Sequence, residues 1–109
     1  MSHDEIILLD IIRATRLAIE FTQGMDKNTF LQDIKTQSAV LHQLMVMGEA
    51  VKRLSTGYRN QHAQIPWKLM AGMRDKLIHD YDIVDLNEVW KTIEVDVPQV
   101  LPLLEALQP

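Results

Sequence analysis

In the stretch "MRDKLIHDY", Met73 to Tyr81, an arginine, an imidazole and a phenol fall within eight positions: Arg74, His79 and Tyr81. A protein can hold a phosphate and move a proton with such groups. A guanidinium grips a phosphate through two parallel hydrogen bonds. An imidazole with an ordinary pKa of ~6.5 takes up or releases a proton near neutrality. The phenol can donate a hydrogen bond, and Asp75 can orient either neighbour. On an ideal helix Arg74 and Tyr81 differ by about 20°, whereas His79 sits about 140° from Arg74. A regular helix therefore does not gather all three. Either the helix ends near His79, or a second copy of the chain completes the site. The same residues also suit a solvated helix end, with His79 favoured by the macrodipole and Arg74 paired with Asp75 or Asp80.

Other chemistries are poorly supported. The chain has no cysteine, which removes disulfides, thiolate metal sites and cysteine nucleophiles. His3, His42, His62 and His79 lack the spacing of a metal site, and no Gly-rich phosphate loop or G-x-S-x-G elbow occurs. No metal or cofactor is expected. Met45, Met47, Met70 and Met73 read as core filler.

Charge is distributed unevenly. The chain carries a net −4, yet between residues 52 and 76 six basic residues face one acid, Asp75. Lys52, Arg53, Arg59, Lys68 and Lys76 accompany Arg74 in that window. Gathered on one surface, they would make one positive face on an otherwise acidic body; on separate helices they would point in different directions. An acidic protein of this kind is not expected to bind DNA.

Positioning these groups requires a scaffold. With 109 residues and 47% hydrophobic content, a single domain over 1–109 is expected. The acidic start "MSHDEIILLD" does not resemble a secretory signal, and no apolar run approaches the ~20 residues of a membrane span. A cytoplasmic protein is expected. Apolar spacing is helical throughout. Ile7, Ile11, Ala14, Ala18 and Phe21 mark a first helix, with Asp4 as N-cap and an end near Gly24. Phe30, Ile34, Leu41, Leu44, Gly48 and Val51 mark a second over about 29–56, bent near "DIKTQS" and stopped by Gly57. Gly48 in mid-helix costs ~1 kcal/mol relative to alanine, which implies close approach of another helix. "GYRNQHAQIP" reads as a loop, and Pro66 opens a third helix running to His79 or Tyr81. Asp85 caps a fourth containing Leu86, Val89, Trp90 and Ile93. Pro98 and Pro102 set apart a last short helix. The predicted fold is all-α, an antiparallel up-and-down bundle of four helices plus a short C-terminal one.

"RDKLIHDY" matches R-x-x-x-x-H-x-Y, and with "GEAVKRLS", "IPW" and "VWKTIEVDVPQVLPLLEAL" in the same order the chain resembles the HepT-like toxin branch of the HEPN superfamily. Asp75 stands where asparagine is frequent in that family. The resemblance implies a metal-independent endoribonuclease toxin, with Arg74 and His79 catalytic and Asp75 and Tyr81 in support. On that reading Lys52, Arg53, Arg59, Lys68 and Lys76 guide RNA to the site. It implies a homodimer whose two signatures face a shared cleft. It also implies a small nucleotidyltransferase antitoxin, of the MntA kind, that neutralises the toxin by AMPylating Tyr81, possible hetero-oligomers of the two included. The competing reading is a non-catalytic, nucleotide- or partner-binding accessory subunit of a nucleotidyltransferase. A third is a helical scaffold in which the motif only caps a helix.

Overall fold

Ser2 and Glu5 start the first helix, α1 (His3–Phe21), as a reciprocal capping box: the Ser2 hydroxyl accepts from the Glu5 N–H, and the Glu5 carboxylate accepts from the Ser2 N–H. The structure is a computed structural model that describes residues 1–79 and 83–109, His79 through its backbone alone. Asp4 is therefore not the N-cap. Its carboxylate accepts from the Ser55 N–H (2.8 Å) and the Ser55 hydroxyl (2.7 Å), more than fifty positions along the chain. Those two bonds hold the Ser55 N–H and the Asp4 charge together, and they keep the Asp4 carboxyl below its ordinary pKa. Ile7, Leu8, Ile11, Ile12, Ala14 and Ala18 are buried, so α1 is covered over a wide face as its sequence implies. Thr22 closes the helix, and Gly24, at φ 77, reverses the chain.

The segment expected as one helix over 29–56 is two. Asp26 caps α2 (Lys27–Leu31), and Asp33 caps α3 (Ile34–Arg53) by accepting from the Thr36 N–H at 3.1 Å and its hydroxyl at 2.8 Å. A carboxylate that satisfies first-turn donors starts a new helix where the apolar pattern thins. The Gln37 amide donates to the Phe30 carbonyl at 2.9 Å and ties the two pieces together. Gly57 does not stop α3. Leu54 is already extended, and Ser55 caps a further short helix, α4 (Thr56–Gln61), that contains Gly57. The stretch expected as a loop is thus partly helical. The Asp4–Ser55 bonds place the start of α1 beside the end of α3, so the two long helices run antiparallel.

Two short helices follow, α5 (Trp67–Ala71) and α6 (Met73–Leu77), then a two-residue antiparallel ladder of β1 (Ile78–His79) with β2 (Ile83–Val84). Asp85 caps α7 (Leu86–Lys91), as expected, by accepting from the Glu88 N–H. From there the chain does not break. A π-turn over Thr92–Asp96 carries it into α8 (Val97–Glu105), with the Val97 N–H donating five residues back to the Thr92 carbonyl. Lys91, Thr92, Asp96 and Val97 all keep α-helical dihedrals. Pro98 and Pro102 therefore lie within a continuous helical run rather than marking off a separate helix. Pro98 sits in the first turn of α8, where its missing N–H costs least.

The class is all-α, as expected, and the four expected helices correspond to α1, α3, the α5–α6 pair and the α7–α8 run. Phe30, Leu8, Ile11, Leu44, Leu77, Val89 and Leu104 are completely buried between them. Each such side chain contributes about 1.5–3 kcal/mol relative to exposure. The Phe30 and Trp90 rings meet at 5.2 Å and lock α2 to α7. Arg16 and Glu105 form an ion pair between α1 and α8. Among the described residues no helix is long and apolar enough to cross a membrane.

Candidate active site

Gly48 determines where the motif helix can lie. A Cβ placed there would stand 2.9 Å from the Met70 carbonyl oxygen, so only a glycine lets α3 approach the backbone of α5 this closely. That is the helix contact its mid-helix position implies. Ile65, Trp67, Met70, Met73 and Leu77 fill the interface from the other side and are buried. The Trp67 indole donates to the His62 carbonyl at 3.0 Å. The Tyr58 ring packs on His62 at 4.6 Å and on Trp67 at 6.4 Å, joining α4 to α5. Burial first, then the Asp4 and Glu5 carboxylates, raises the Tyr58 phenol above its ordinary pKa.

Lys68, Arg74 and Asp75 face solvent, while Lys76 is half-buried. Arg74 and Asp75 approach within 3.9 Å, side by side on the outer face of α6. Lys76 does not face outward with them. Its ammonium lies 2.9 Å from the Asp96 carboxylate at the end of the π-turn. Sequence inspection missed Asp96, because nothing local marks a residue twenty positions downstream as the partner of Lys76.

The motif helix stops earlier than expected. It ends at Leu77, and Ile78 is extended (φ −118, ψ 116). The Leu77 carbonyl, which would continue the helix, instead accepts from the Asp85 N–H at 2.9 Å. In the ladder Ile78 pairs with Val84 and His79 with Ile83. The helix ends before the histidine. Arg74 thus belongs to α6 and His79 to β1. Tyr81 and Asp80, and the side chain of His79, lie outside the described residues.

The basic residues of the 52–76 window line different grooves. Lys52 and Arg53 border a groove of about 370 Å³ that also includes His42 and Glu49, and Lys52 bonds to Glu49 at 3.2 Å. Arg59 and Lys68 border a different groove, of about 570 Å³, between α4 and α5. Lys76 is held by Asp96. Thr56 and Asn60, which the sequence did not single out, line the Arg59 groove. Among the described residues no cluster of three or more histidines and carboxylates is placed to hold a metal ion.

Comparison with known proteins adds an independent line. The family profile described as "Ribonuclease HepT-like" matches residues 11–107. A protein of Thermococcus cleftensis named "Probable ribonuclease HepT" is 44% identical over 101 residues, covering 93% of this chain and 92% of its own. One of Methanocaldococcus jannaschii named "Putative RNase MJ0127" is 41% identical over 100 residues, covering 92% and 83%. No solved structure matches.

Proposed function

Because the chain belongs to the ribonuclease HepT-like family, we propose that it is a metal-independent endoribonuclease acting through Arg74 and His79. The observation that carries this reading is the change of structure between them: an exposed guanidinium on α6, then a helix end at Leu77 that puts His79 on a separate extended segment. RNA supplies its own nucleophile, the 2′-hydroxyl. The protein must remove that proton, protonate the leaving 5′-oxygen and stabilise the charge that builds on phosphorus. His79 takes the proton and gives it to the leaving 5′-oxygen. Arg74 holds the non-bridging phosphate oxygens and stabilises the phosphorane. The 2′-oxygen bonds to phosphorus as the bond to the 5′-oxygen breaks, leaving a 2′,3′-cyclic phosphate and a 5′-hydroxyl. Asp75 orients Arg74, and Tyr81 donates a hydrogen bond to the substrate. Two chains pair so that both signatures face one cleft.

In the same reading the protein is the toxin of a toxin–antitoxin pair. The antitoxin is a nucleotidyltransferase. It joins the Tyr81 phenolic oxygen to the α-phosphorus of ATP with release of pyrophosphate, the phenolic proton passing to solvent. The added phosphate occupies Arg74 and repels RNA.

The test is to express the chain alone, beside Arg74→Ala and His79→Ala, and to map RNA ends. Growth arrest with new 5′-hydroxyl and cyclic phosphate ends, lost in both variants with the helical spectrum unchanged, supports the proposal. Intact RNA together with stable co-purification of a nucleotidyltransferase would replace it with the accessory-subunit reading.

A further inference from the structure

We propose that the groove between α4 and α5 is a second anion subsite, holding a phosphate of single-stranded RNA a few nucleotides from the one cleaved. The identity of the strand rests on the nuclease reading above; the anion preference of the groove does not. Three observations converge. Arg59 and Lys68 both border the groove, and no carboxylate is among its lining residues. In a chain with fifteen acids that combination is selective. The neighbouring groove at Lys52 and Arg53 differs, since Glu49 shares its wall.

The second observation is Arg59 itself. It is only partly exposed, and its Nε is buried without a hydrogen bond in the structure. That Nε is out of reach of the groove, but a guanidinium partly withdrawn from water, with no carboxylate paired to it among the described residues, attracts an anionic oxygen to its outer edge. The third is the lining. Thr56 and Asn60 add neutral hydrogen-bonding groups, and Ala63 and Pro66 add an apolar wall. A volume of about 570 Å³ lies within the range of nucleotide-sized sites. The aromatic contacts among Tyr58, His62 and Trp67 fix α4 against α5 and so hold Arg59 near Lys68.

The position suits a strand already engaged at Arg74. Helical hydrogen bonding runs through Gly72, from its N–H to Lys68 and from the Lys76 N–H to its carbonyl. Lys68 and Arg74, six residues apart, are then about 9 Å apart along the axis and about 120° apart around it, so a strand that touches both crosses the helix obliquely. The groove fixes where the strand lies and takes no part in proton transfer.

Binding of a fluorescent ten-nucleotide RNA carrying 2′-O-methyl groups, which cannot be cleaved, tests this as a function of salt. The proteins are wild type, Arg59→Gln/Lys68→Gln, Lys68→Gln alone, and a charge-matched control, Lys27→Gln/Lys35→Gln. Lys68 is exposed, so its single variant stays informative if the Arg59 change unfolds the chain. The groove pair is expected to weaken binding roughly tenfold. Its log–log salt slope is expected to fall by about 1.4, the loss of two phosphate contacts on a single strand. Equal losses in the control pair, or an unchanged slope in both groove variants, overturn the subsite. Free AMP that fills the groove as tightly as the oligonucleotide would overturn the strand in favour of a mononucleotide pocket. Cleavage of the 2′-hydroxyl version is followed in parallel. Groove-dependent binding without cleavage keeps the subsite and sinks the nuclease reading; cleavage with groove-independent binding does the reverse.

Discussion

The Lys76 ammonium stands 2.9 Å from the Asp96 carboxylate, and this pair fastens α6 to the end of the π-turn two residues from Arg74. Both side chains are mostly buried, so the pair lies between a solvated bridge and a fully buried one. Asp96→Asn is expected to destabilise by about 1–2 kcal/mol and to lower cleavage through misplacement of Arg74. Lys76→Met/Asp96→Leu, which removes both charges, should recover most of the stability. Urea unfolding of Lys76→Met, Asp96→Leu and the double provides the cycle; strictly additive losses would show that the two residues act separately.

Gly48→Ala tests the close approach of α3 to α5. Alanine gains up to ~1 kcal/mol in helix propensity. The new methyl would meet the Met70 carbonyl oxygen at 2.9 Å, a backbone atom that cannot rotate away. Overpacking of this kind costs about 1–3 kcal/mol, so the net change is destabilising. The thermal midpoint should fall, and RNA cleavage should fall with it because α5 leads directly into α6.

Thr92→Val should do the opposite. The Thr92 hydroxyl is buried in the π-turn and makes no hydrogen bond in the structure. Replacing it with a methyl removes a desolvated polar group and is expected to stabilise by about 1 kcal/mol. For a domain of this size that corresponds to roughly 4–8 °C in the melting temperature. A lower melting temperature would mean that the hydroxyl has a partner worth keeping.

The fold should also lose stability in acid. Asp4, Asp26 and Asp33 are each held below their ordinary pKa of 3.8, first by a backbone N–H, from Ser55, Thr29 and Thr36 respectively. Carboxyls depressed in the folded state contribute stability above that ordinary value, and the contribution disappears as pH falls through the folded pKa values. Melting temperature measured between pH 6 and pH 2 should therefore drop below about pH 4. Changing all three to asparagine, which still accepts a hydrogen bond but does not titrate, should flatten that limb.

Much of this arrangement is written locally. The wide apolar face of α1 and the cap at Asp85 follow from spacing and residue type, and Gly48 announces a helix contact because nothing else justifies glycine there. Errors cluster where two local signals compete. Ser2 rather than Asp4 caps α1, since Asp4 is engaged by Ser55, a contact invisible to a window of a few residues. Ile34 fits the apolar stripe of a single long helix, but Asp33 restarts the helix and leaves Ile34 77% exposed. Gly57 looks like a stop, yet Leu54 and Ser55 have already ended one helix and begun another. At the site, R-x-x-x-x-H spacing singled out a candidate pair and left its geometry open. The helix end at Leu77 depends on Asp85 reaching back across the ladder, a tertiary bond that no periodicity encodes.

The π-turn at Thr92–Asp96 amounts to one surplus residue inside a regular spiral. Deleting a single position there would restore ordinary winding, because the wider turn already absorbs the extra residue and keeps the following face in register. Val97, Val100 and Leu104 would stay in the interior. The same deletion in α3, where no such turn exists, would rotate everything after it by about 100°. The C-terminal helix is therefore joined to the rest of the fold with one amino acid's worth of slack.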